Sequence, residues 1–130
     1  GAYVLADFGD KEPDLILMGS GSEVPLVLDA AIRLAAEAIA VRVVSFPSWE
    51  LFAMQDEAYR QSVLPSYIHK RLAVEAGVTL GWERWVGERG AVIGVSTFGA
   101  SAPYQEIYRH YGLTVERIVA RALDMMRSSW

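Results

Sequence analysis

Short continuous apolar runs, each handing over to a polar turn and then to an amphipathic stretch, constrain this chain more than any other feature. The runs lie at 14–19 (DLILMG), 41–46 (VRVVSF), 71–75 (RLAVE) and 91–95 (AVIGV), with a shorter one at 3–6 (YVLA). A strand that alternates apolar and polar residues has one wet face, whereas an unbroken apolar run is suited to burial on both faces. Strands of that kind need helices above and below, so the pattern predicts an α/β fold with a mostly parallel sheet between two helical layers.

The stretches between the runs fit this reading. Residues 22–38 place Val24, Val27, Leu28, Ala31, Leu34, Ala35 and Ala38 at helical spacings of three and four, which gives one packing face and one wet face. A helical stretch is expected from Leu51 to Val63, bounded by Pro47 before it and Pro65 after it. A short helix is expected at 80–87. Ser101-Ala102-Pro103 opens another that runs to Tyr111, with Ser as cap and Pro in a first turn whose N–H groups are unpaired anyway. Thr114 caps the last helix, whose apolar positions Val115, Ile118, Val119, Ala122, Met125 and Met126 line one side. Residues 7–13 read as a polar turn segment, and 1–13 as a connecting segment with a short strand, ahead of a domain spanning 14–130. A first residue other than Met is expected of a processed chain or an excised fragment.

Composition narrows the function classes. The 130 residues carry 12 Lys and Arg against 16 Asp and Glu, a formal net charge of −4, so no basic patch is expected to meet nucleic acid or an anionic membrane surface. With no cysteine, disulfides, Cys-ligated metals and thiol nucleophiles are excluded, and a reducing compartment, the cytoplasm, is the expected setting. No apolar run approaches the ~20 residues of a membrane span. At 52% hydrophobic and 22% charged residues, some apolar surface is expected to meet a partner.

In open α/β sheets ligands bind outside the carboxyl ends of the strands. Here Gly19, Ser20, Gly21 and Ser22 follow one run, and Ser96, Thr97, Phe98, Gly99 and Ser101 follow another; together they form a candidate crevice for a small anion or other ligand. The first turn has two readings. A helix N-terminus presents free N–H groups to an anion, whereas Ser20 and Glu23 have the S-x-x-E spacing of a capping box. A dinucleotide fingerprint would need a third glycine where Val24 stands, and Ser96, Thr97 and Ser101 lack both a base and a G-x-S-x-G elbow. His69 and His110 read as surface residues. Glu75, at a strand end, reads as a structural hydrogen-bond anchor more readily than as a catalytic acid, with Arg71, Arg84 or a helix N-terminus as partner. Trp49, Phe52, Trp82, Trp85, Phe98 and Tyr104 suit either a core or a domain interface.

Taken together, Gly19-Ser20-Gly21-Ser22-Glu23-Val24, the run 55–65 (QDEAYRQSVLP), Ala73-Val74-Glu75-Ala76-Gly77 and Ser96-Thr97-Phe98-Gly99-Ala100-Ser101-Ala102-Pro103 resemble the C-terminal domain of transketolases, in order along the chain. One position departs: relatives usually carry Glu where Ala100 stands. The resemblance implies a three-layer α/β/α domain with a five-stranded, mostly parallel sheet whose first strand is antiparallel. It implies a parent homodimer that moves a two-carbon ketol unit between sugar phosphates, using thiamine diphosphate and a divalent cation, Mg or Ca, held by other domains. No residue here matches the family's catalytic, cofactor or metal positions, so none is assigned. The remaining domains and the second subunit are the implied partners.

Overall fold

The computed structural model describes residues 1–77, 79–94 and 113–127. Its sheet has five strands: β1 (Tyr3–Phe8), β2 (Leu15–Gly19), β3 (Val41–Ser45), β4 (Arg71–Glu75) and β5 (Ala91–Gly94), in the spatial order β1-β3-β2-β4-β5. β1 pairs antiparallel with β3, and every other pairing is parallel. Every residue of β2 is buried, as a central strand covered on both faces requires.

Side chains alternate across the sheet and so build two cores. Leu15, Leu17, Val41, Val43, Leu72 and Val74 point to a layer made by α1 (Val24–Ala35) and α5 (Val115–Met126). Ile16, Met18, Val44 and Ala73 point the other way, to α2 (Trp49–Ala53), α3 (Glu57–Val63) and α4 (Glu83–Val86). The three-layer arrangement, the five strands and the antiparallel first strand are those the resemblance implies.

Several boundaries differ from the sequence reading. β1 runs two residues past the expected end at residue 6, because Asp7 stands opposite Arg42 on β3 and the two form an ion pair at 2.9 Å. A bulge between Val4 and Ala6 shifts the register of this edge strand, a device that blunts further pairing. The first helix begins at Val24, after a 3₁₀ turn Gly21–Glu23, and ends at Ala35 rather than 38. There Ala38 adopts φ 65°, Ala38 N–H donates to Ala35 O and Ile39 N–H to Leu34 O, the bond pattern of a Schellman stop.

The single helix expected from Leu51 to Val63 is two. Ser48 Oγ accepts from Leu51 N–H and Asp56 Oδ1 from Tyr59 N–H, so each helix has its own N-cap. The helix expected at 80–87 is only Glu83–Val86. Thr114 does cap α5, accepting from Arg117 N–H at 3.2 Å. The helix expected over 101–111 lies outside the described residues.

Candidate functional site

Carboxyl ends of three parallel strands meet at one edge of the sheet, formed by Gly19–Glu23, Ser45-Phe46 and Glu75-Ala76-Gly77. After β2 the chain crosses to the α1 face, and after β4 to the α4 face. The crevice between diverging connections is where open α/β sheets take ligands. Phe46 N–H donates to Gly19 O at 2.9 Å, closing one side. A Cβ on Gly19 would lie 3.1 Å from Val27 Cγ2, so glycine lets α1 pack tightly on β2. Gly21, at φ +56°, faces open space.

The capping box does not form. Ser20 offers no side-chain cap, because the intervening 3₁₀ turn is tied by a backbone bond from Glu23 N–H to Ser20 O. Glu23 stands at the N-cap position of α1 without a side-chain cap bond and is itself buried, with Ser22 Oγ 3.4 Å from its Oε1. Ser96, Thr97, Phe98, Gly99 and Ser101, the other half of the crevice, lie outside the described residues, as do Ala100, Tyr104 and His110. His69 is exposed.

Glu75 is a structural anchor, as expected, but its partners are not arginines. Its Oε1 accepts from Trp82 Nε1–H at 2.9 Å and its Oε2 from Gly77 N–H at 2.8 Å. Both oxygens are therefore engaged by donors from the chain itself. Trp82 and Trp85 belong to the core, where their rings pack edge-on or tilted against Phe46. Trp49 is half-buried against Trp82. Trp49, Trp82 and Trp85 thus face the interior; the large apolar side chains exposed among the described residues include Ile32, Leu51, Met54, Tyr67 and Leu80.

Two arginines carry structure that sequence reasoning did not assign. Arg42 binds Asp7 with two bonds and the carbonyls of Ser62 and Val63 with another nitrogen, joining the sheet edge to α3. Arg71, at the amino end of β4, donates to the carbonyls of Leu64, Pro65, Ile68 and Trp85. Burial lowers its pKa from the ordinary value. An arginine at the first position of a buried-type strand was the available signal, since a charge there must find partners.

Among the described residues no group of three or more His, Cys, Asp or Glu is placed to hold a metal ion. No helix among them is long and apolar enough to cross a membrane. Among the described residues the donor set therefore offers no such cation site. These features define a class: an α/β/α domain whose described strand ends are closed largely by its own backbone and side-chain bonds.

The sequence matches the family described as "Transketolase-like TK C-terminal domain" over residues 1–114. It is 52% identical over 124 residues to the chloroplastic transketolase of Zea mays, covering 94% of this chain and 18% of that protein. Transketolase 2 of Escherichia coli is 50% identical over 122 residues, with the same coverages of 94% and 18%. The solved transketolase of Leishmania mexicana superposes with a TM-score of 0.85 at 42% identity, over 98% of this chain and 18% of that one. The chain belongs to the transketolase C-terminal domain family, and it spans less than a fifth of the length of these relatives.

Proposed function

We propose that the chain serves as the C-terminal domain of a transketolase, a transferase that moves a two-carbon ketol unit between sugar phosphates with thiamine diphosphate and a divalent cation. In this reading residues 1–13 connect it to a preceding domain and 14–130 form the module. Its role is structural: it packs against the remaining domains and the second subunit of a homodimer, in the cytoplasm or, as the maize relative's name suggests, a plastid. What carries the reading is the match along nearly the whole chain to transketolases, of which the chain spans less than a fifth. The 130-residue chain given thiamine diphosphate, magnesium and sugar-phosphate donor and acceptor should give no ketol transfer. Reproducible turnover would overturn the reading.

A second role as a ligand-binding regulatory domain rests on the open side of Gly21 and the 3₁₀ turn beside it. A thermal-shift screen with sugar phosphates and nucleotides tests it, since saturating binding at 100 Kd stabilises by about 2.7 kcal/mol. A shift that survives Ser20→Ala with Ser22→Ala, or no shift at all, removes that site.

A further inference from the structure

At the other end of the sheet, away from the strand carboxyl ends, a cavity of about 200 Å³ opens between α2, α3 and α4, and Arg60, Arg71, Arg84, Glu57 and Trp85 stand in its wall. Three guanidiniums and one carboxylate give this wall a formal charge of 3 − 1 = +2, on a chain whose net charge is −4.

The positive charge is poorly compensated. Glu57 is already held by Arg60 at 2.9 Å and by Gln61 Nε2 at 3.2 Å. Arg71 spends its donors on four carbonyls, which satisfy its hydrogen bonds without neutralising its charge. Arg84 makes no hydrogen bond or ion pair with any described residue; its guanidinium carbon lies over the Trp85 ring, 4.6 Å from the ring centre. Independently, two buried side-chain donors have no partner among the described residues, Arg60 Nε and Trp85 Nε1. Their residues line this cavity, but both nitrogens lie beneath its surface, out of reach of a solvent molecule or ligand within it.

The accessible charge in the wall is that of Arg84, whose guanidinium has no anionic partner among the described residues. Water would solvate it but leave the charge, whereas an oxyanion answers it. Planar guanidiniums match phosphate oxygens two at a time, and a phosphate presents at least three such oxygens on one centre where each carboxylate presents two. The volume is below the roughly 300–1,000 Å³ of pockets for larger ligands, which suits a phosphate group with a few attached atoms. We infer that this cavity is a binding site for a small phosphate or phosphomonoester, with Arg84 as the recruiting residue and Arg60 completing the clamp. The site is separate from the strand-end crevice and does not depend on the transferase reading.

The test is calorimetric titration of the 130-residue chain with inorganic phosphate and with glycerol phosphate, at fixed ionic strength set with chloride, and with malonate as a carboxylate comparison. One saturable site is expected, with malonate weaker. Arg84→Glu, an exposed position whose replacement leaves the core intact, should weaken phosphate by about tenfold or more. Arg127→Glu makes the same change in net charge after α5, on the opposite face of the sheet, and should leave affinity within about twofold. No saturable binding to the parent chain, equal weakening by both variants, or malonate binding as tightly as phosphate would each overturn the assignment. Circular dichroism of each variant keeps loss of binding separate from loss of fold; should Arg84→Glu unfold, Arg84→Gln gives the same comparison.

Discussion

Replacing Glu75 by Ala removes both acceptors at the carboxyl end of β4 and strands the Trp82 indole N–H, whose side chain is 1% exposed. A buried donor left without a partner costs about 1–3 kcal/mol, and hydrogen bonds to a charged group contribute about 1.5–3 each. Gly77 is half-exposed and can turn its N–H to water, so its share is about 1 kcal/mol. The sum is about 3 kcal/mol. With an unfolding entropy of about 2.1 cal/mol/K per residue, 130 residues give about 0.27 kcal/mol/K, and Tm should fall by about 11 °C. Glu75→Gln keeps one acceptor oxygen and should lose about half as much.

A double-mutant cycle separates the indole bond from everything else. In a Trp82→Phe background there is no N–H to strand, so Glu75→Ala should cost only the Gly77 share, and the coupling should be about 2 kcal/mol. Urea melts of the four proteins measure it. Coupling under about 0.5 kcal/mol would refute the anchor. The same variants decide between anchor and catalytic acid: in the longer enzyme, Glu75→Gln should lower Tm while changing turnover per folded molecule by less than about twofold. A large loss of turnover at unchanged Tm would show that the engaged oxygens mislead.

Other substitutions probe single features. Gly81→Ala should destabilise by at least about 2 kcal/mol in denaturant melts, because φ is +100° and the new Cβ would meet Trp49 Cζ3 at 2.6 Å. Ala38→Gly should stabilise by about 0.5–1 kcal/mol, the relief of a left-handed Ala less the added freedom of Gly in the unfolded chain; a lower Tm would contradict the Schellman stop. Thr114→Ala should cost about 1 kcal/mol by loss of the α5 cap. Glu116 has its pKa lowered by its own backbone N–H and by Arg33. Its contribution is therefore complete above the ordinary value of 4.5 and lost as pH falls through the lowered one, so Glu116→Gln should flatten the acid limb of a Tm–pH curve.

What was legible in the sequence follows from the range of the interactions involved. The buried strands announce themselves because burial on both faces demands an unbroken apolar run, and Thr114 because a cap and its helix are adjacent in the chain. The Ser20–Glu23 box misled for the opposite reason: its spacing is right, but burial of Glu23 and the 3₁₀ turn decide the local geometry. The break between α2 and α3 was visible in Asp56, a good N-cap residue, but a reading bounded only by Pro47 and Pro65 ran through it. Arg60, Arg71 and Arg84 lie on three different elements, and only the fold gathers them around one cavity. The α/β pattern was enough to put Gly19 at the carboxyl end of a strand, with Ser20 to Ser22 following it.

The short helix α4 shows why pattern alone could not have set its length. Four residues form one turn, far below the ~12–15 at which an isolated helix holds in water, so its stability has to come from outside. The two charged residues that flank β4 supply it. At one end Glu75 holds the indole of Trp82, the residue that opens the helix; at the other Arg71 takes the carbonyl of Trp85, one of the helix's last, otherwise orphaned acceptors. Between these stakes the two tryptophan rings sit against Phe46. Strand β4 thus sets both where α4 begins and where it stops. It also fixes the tilt of Trp85, and with it the Arg84 guanidinium over its ring. The charged ends of one buried strand therefore hold a single helical turn at both of its ends.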